Sequence, residues 1–99
     1  MPVVAKVRDV PAMGTKLVSV EGQDLLLVNL KGVIYAVESE CPHQGAPLSG
    51  AIVKDTYLSC QRHGYRFELK DGSCKEHPEC VLKTWPVRIE GDDIIVDLA

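Results

Sequence analysis

Apolar residues come in short runs separated by turn chemistry. Val3 to Val7, Thr15 to Val20, Asp24 to Leu30 and Val33 to Val37 are rich in Val, Ile and Leu. Glu21-Gly22-Gln23 and Lys31-Gly32 separate three of them at hairpin distances. Ala51 to Val53, Tyr57 to Ser59, Tyr65 to Leu69, Val87 to Glu90 and Ile94 to Leu98 repeat the theme, with Asp71-Gly72 and Gly91-Asp92-Asp93 as turns. Nowhere does an apolar period of 3.6 persist for the roughly ten positions a helix needs. The pattern predicts an all-β fold, an antiparallel sandwich or partly closed barrel.

The rhythm breaks in the middle. From Glu38 to Gly50 the chain holds Cys41, His43, two Pro and two Gly with little strand character. A second irregular stretch, Gly72 to Pro78, holds Cys74 and His77. Long loops in a small protein cost ordering entropy and usually carry function. The chain has 99 residues, enough for one domain and too few for two. The expected organisation is a β-scaffold from residues 1–37 and 81–99, with a loop-bearing subdomain inserted at roughly 38–80.

Composition narrows the function classes. Charged residues make up 25% and hydrophobic residues 45%, which fits a folded globular chain and not a disordered one. The formal charge of −3, from 11 basic and 14 acidic residues, gives no footprint for nucleic acid or an anionic membrane. A basic protein surface suits it better. No apolar run approaches the length that spans a bilayer, Leu25 to Val28 being strand-sized, and the N-terminus lacks the basic-then-apolar plan of a secretory signal. A cytoplasmic location is therefore expected. There the four cysteines are expected as metal ligands or core residues, not disulfides.

The candidate chemistry is Cys41-Pro-His43 and, after sixteen residues, Cys60-Gln-Arg-His63. Each half supplies one thiolate and one imidazole from a tight turn. Two Cys and two His could hold a single zinc tetrahedrally. Zinc loops usually pair cysteine with cysteine, however, and here each turn mixes a soft and a borderline ligand. That mixture suits a binuclear centre, with both cysteines on one iron and both histidines on the other.

At these residues the chain resembles the Rieske-type ferredoxins. The specific part is Cys41-Pro-His-Gln-Gly-Ala-Pro-Leu with Cys60-Gln-Arg-His-Gly-Tyr-Arg-Phe, and Lys83-Thr-Trp-Pro-Val-Arg-Ile-Glu-Gly-Asp-Asp looks like the family's closing hairpin. The resemblance implies a Rieske [2Fe–2S] cluster with Cys41 and Cys60 on the inner iron and His43 and His63 on the outer one. Neutral imidazoles make the oxidised cluster less negative, which raises its potential above that of all-cysteine ferredoxins. Gly45 and Gly64 would let backbone amides approach the sulfurs, or would simply turn the chain.

Departures from the respiratory branch of the family point to a lower potential. That branch ties its ligand loops with a disulfide, but the matching positions here are Ala46 and Arg62. It also places hydroxyl donors where this chain has Tyr65 and Phe67. Fewer donors to sulfur mean a lower potential. The resemblance implies a monomeric one-electron carrier, not itself an enzyme, that docks transiently with a flavin-dependent NAD(P)H reductase and a terminal ring-hydroxylating oxygenase. A Rieske-like small subunit of an assimilatory nitrite reductase is the alternative, and a zinc-stabilised binding module a third.

Cys74-Lys-Glu-His77 also reads C-x-x-H, but pairing it with His43 would leave Cys60 and His63 unexplained. Cys74 is expected as a loop thiol, His77 as an exposed residue and Cys80 as a small buried hydrophobe. A Cys74–Cys80 disulfide is conceivable but not expected in a reducing compartment. By resemblance, His77-Pro78 would belong to a loop covering a third side of the cluster. Trp85 is expected as core or half-exposed strand. Arg62 and Arg66 are expected as solvated charges, with partner selection as Arg62's sharper role.

Overall fold

The structure, a computed structural model, describes residues 3–40, 48, 51–60, 66–74 and 78–97. Strand β1 (Val3–Lys6) leads into a single 3-10 turn (Val7–Asp9), then β2 (Thr15–Val20), β3 (Gln23–Leu30) and β4 (Val33–Glu38). There follow β5 (Ile52–Lys54), β6 (Tyr57–Ser59), β7 (Arg66–Glu68), β8 (Thr84–Trp85), β9 (Val87–Glu90) and β10 (Asp93–Val96). They form three antiparallel sheets, ordered β1-β10-β9, β2-β3-β4-β8 and β5-β6-β7. The sheets stay open and do not close into a barrel.

Local sequence explains the hairpins. Val20 pairs with Gln23 and Leu30 with Val33, so Glu21-Gly22 and Lys31-Gly32 are two-residue loops. Both residues of each loop have positive φ, as the primed turns that match strand twist require. Gln23, expected in the turn, is instead the first residue of β3. Pattern alone missed β8, whose two residues pair as Ala36 with Trp85 and Val37 with Thr84. Trp85 is half-buried, as expected.

The strand β3 is buried on both faces. Successive side chains alternate across a strand, so Leu26, Val28 and Leu30 face one core while Leu25 and Leu27 face another. The first core adds Val37, Leu48, Val53, Leu58, Cys60, Phe67, Leu69, Cys74 and Leu82. The second adds Val10, Val20, Ile34, Ala36, Ile94 and Val96. Asn29, 7% exposed, is the one buried polar side chain among the described residues. Its Nδ2 donates to the Val10 carbonyl at 3.1 Å and its Oδ1 accepts the Gly32 N–H at 2.9 Å, tying the segment after β1 to the β3–β4 turn. Among the described residues no helix is long and apolar enough to cross a membrane.

Candidate metal centre

Cys60 follows β6 directly and is 1% exposed within the first core. Ser59 pairs with Arg66, so Cys60 opens the six-residue connection from β6 to β7 that also contains His63. Cys60 is not in a disulfide. His63 lies in 61–65 and Cys41 and His43 lie in 41–47, outside the described residues. The brackets of that second segment are described. The Leu48 N–H donates to the Ser39 carbonyl at 2.8 Å, and the Ala51 N–H donates to the Leu48 carbonyl at 2.9 Å. Leu48 is fully buried in the core that holds Cys60. Leu48, after the first motif, and Cys60, which opens the second, thus lie in one apolar cluster.

That cluster also tests whether an iron fits. A thiolate in an apolar interior needs compensating positive charge. No charged side chain is buried among the described residues, and coordination would supply that charge. Cys60, a buried thiol that opens the Cys-x-x-His connection, fits a metal ligand by its chemistry and its place in the chain. By themselves the described residues contain no group of three or more His, Cys, Asp or Glu able to hold a metal.

The turn after β7 backs this region. The Gly72 N–H donates to the Glu68 carbonyl at 2.6 Å and the Glu68 N–H to the Ser73 carbonyl at 2.8 Å, while Phe67 forms a β-bridge with Cys74. Gly72 has φ +79°, and a Cβ there would lie 1.9 Å from the Leu82 carbonyl oxygen. The Leu82 N–H donates to the Gly72 carbonyl at 2.8 Å. Only a glycine allows the two backbones to meet this closely. The Asp71 carboxylate accepts from both the backbone N–H and the hydroxyl of Ser73, at 2.9 and 2.8 Å. These bonds, the backbone one foremost, hold its pKa below the usual carboxylate value.

Two cysteine expectations are overturned. Cys74, expected as a loop thiol, is 2% exposed and part of the core, because its bridge to Phe67 turns it inward. Cys80, expected to be buried, is half-buried, because it follows the Pro78–Glu79 turn instead of lying in a strand. Pro78 is exposed, and His77 lies outside the described residues. Arg66 is exposed with its guanidinium 5.7 Å from the centre of the Tyr57 ring, while Arg62, Tyr65, Ala46, Gly45 and Gly64 lie outside the described residues. Phe67 is fully buried. Sequence reasoning missed Leu48 and Gly72 as anchors of this region. The Asp71-Gly72 turn signal marked one of them but not its contact with Leu82.

An all-β chain of open antiparallel sheets, with a buried thiol opening a Cys-x-x-His connection, defines a Rieske-type domain. The family model described as "Rieske [2Fe-2S] domain" matches residues 1–86, and the chain belongs to that family. It is 37% identical over 89 residues to the ferredoxin component of biphenyl 2,3-dioxygenase from Rhodococcus jostii (strain RHA1), covering 88% of this chain and 83% of that protein. Its fold matches the Sphingomonas yanoikuyae B1 ferredoxin with a TM-score of 0.89 at 26% identity, covering 99% and 98% of the two chains. It also matches a protein described as a nitrite reductase (NADPH) small subunit, with a TM-score of 0.88 at 25% identity over 96% and 95%. Fold alone does not separate the last two.

Proposed function

We propose that this chain is a soluble, cytoplasmic, monomeric one-electron carrier and not itself an enzyme. It takes electrons from a flavin-dependent NAD(P)H reductase and delivers them to a terminal ring-hydroxylating oxygenase. The observation that carries this reading is the 37% identity to a dioxygenase ferredoxin component across 83% of that protein's length. A Rieske [2Fe–2S] cluster, when bound, supplies reversible one-electron chemistry. Cys41 and Cys60 would hold the inner iron, and His43 and His63 the outer one. Residues 38–80 would then be the cluster-bearing subdomain of the single domain 1–99. Burial of Cys60 would keep water from the cysteine side of a bound cluster, and the histidine-bearing turns would face the partner. A formal charge of −3 favours basic docking surfaces. Docking should be weak, because a carrier must leave as readily as it binds.

The decisive experiment is electron transfer in a reconstituted system. Omission of this chain should abolish NAD(P)H-driven hydroxylation by the reductase and oxygenase encoded with it, and adding it back should restore turnover. The fold match to a nitrite reductase small subunit supports a second reading. Stable co-purification with a large reductase, and no support of hydroxylation, would favour that one. The isolated chain should contain two irons and two sulfides. Its midpoint potential should lie near the bottom of the Rieske range, about −150 mV. Cys60→Ser should remove the visible absorption while Cys74→Ser keeps it. One zinc per chain and no visible absorption would overturn the cluster assignment.

A further inference from the structure

Cys74 and Cys80 belong to no part of the proposed ligand set, yet the fold places them on the two sides of one closed loop. The chain leaves Gly72, passes Cys74, turns at Pro78–Glu79 and returns through Cys80 to Leu82. The Leu82 N–H to Gly72 carbonyl bond, at 2.8 Å, closes the neck of this loop. Counting two residues inward from each partner of that bond reaches Cys74 on one side and Cys80 on the other. That bond leaves a single residue on each side between itself and a cysteine, so the two thiols flank the neck of one short closed loop. Cys74 is also close enough to Cys80 to act on its titration. Neither is in a disulfide in the structure.

We propose that Cys74 and Cys80 are an oxidisable dithiol that closes into an intramolecular disulfide across the neck of this loop, with a low-molecular-weight disulfide such as oxidised glutathione as oxidant. Cys80, the more exposed of the two, reacts first. Its thiolate attacks one sulfur of the oxidant, breaking that S–S bond and releasing one glutathione thiolate. The Cys74 thiol then gives its proton to solvent and attacks the Cys80 sulfur, releasing the second glutathione. Two protein thiols are oxidised and one oxidant disulfide is reduced to two thiols.

Partial burial first, then Glu79 and Cys74, raise the Cys80 pKa, so the thiol predominates at neutral pH. Closure is therefore slow near neutrality and speeds up about tenfold per pH unit until that pKa is reached. The bridge would respond to sustained oxidation, not brief exposure.

Lys75 lies between the two cysteines, which gives the test a clear readout. Trypsin separates Asp71–Lys75 from Glu76–Lys83, each with one cysteine. Cluster-loaded protein is incubated with oxidised glutathione across neutral to alkaline pH, alkylated, digested without reductant and read by mass spectrometry. The expected product is the two peptides joined, two hydrogens lighter than their sum, formed faster at higher pH while the visible absorption persists. Cys80→Ser should give no joined product. Glutathione adducts that never resolve into the joined pair would overturn the proposal. So would a joined pair that appears only after the visible absorption is lost, because the thiols then met in a disrupted chain. The thiol readout is independent of the carrier assay, so failure of either leaves the other interpretable.

Discussion

The two faces of β3 support cores of different character. The face carrying Leu25 and Leu27 packs with Ile34, Ala36, Ile94 and Val96, all drawn from regular strands that pair over most of their length. Its outer hairpin is trimmed with ion pairs, Lys6 to Asp93, Arg8 to Asp92 and Arg88 to Glu90. The face carrying Leu26 and Val28 packs with Leu48, Cys60, Phe67, Cys74 and Leu82, drawn from short strands, turns and irregular segments. The first is a scaffold that alternation alone can assemble. The second depends on specific close contacts, such as Gly72 against Leu82, and is the one that holds Cys60.

Truncating one large side chain on each face gives the largest contrast. Phe67→Ala and Ile94→Ala each empty a fully buried position and should cost about 3–5 and 2–5 kcal/mol of stability. Only Phe67→Ala should also speed loss of visible absorption, since Phe67 bridges Cys74 and pairs with Leu58 beside Cys60. Denaturant melts followed in parallel by far-ultraviolet and visible absorption would check this. Equal bleaching by both variants would mean the two cores are not distinct.

A smaller effect separates two glycines of positive φ. Gly72→Ala drives a Cβ into the Leu82 carbonyl and should cost about 3 kcal/mol, combining left-handed strain with a disturbed backbone bond. At Gly91, φ +63°, a Cβ meets nothing within 4 Å, and alanine should cost only about 1 kcal/mol. Thermal melts of the two variants give the comparison. Similar losses would remove the claim that the 72–82 contact is special.

Asn29→Ala should fall between these, at about 1–3 kcal/mol, because it leaves the Val10 carbonyl and Gly32 N–H without their buried partner. Amide exchange should rise at Gly32 before it rises in β5–β7.

The smallest effect concerns pH. The Asp71 pKa is depressed in the folded chain, so its contribution is full above the unfolded value of about 3.9 and is lost as pH falls through the folded value. Melting temperatures of the native chain and Asp71→Asn should differ slightly at pH 6 and converge on acidification below about pH 4. A difference that grows with acid would contradict the hydrogen-bonding account of this turn.

Much of this architecture was legible in the sequence. Alternating apolar runs and the Glu21-Gly22 and Lys31-Gly32 pairs placed nine of the strands within a few residues, because primed turns and period-two patterning are local physics. The motifs around Cys41, His43, Cys60 and His63 carried the resemblance to the family to which the chain belongs, because a short motif is written in residue type and interval. Only the tertiary structure revealed that Leu25 to Val28, a plain apolar run, serves two cores at once. It also showed Cys74 buried in a core and Cys80 only half-buried, and that Gly72 must be glycine because Leu82 presses on it. Burial and close approach depend on segments distant in sequence, and no local pattern records which of them the chain brings together.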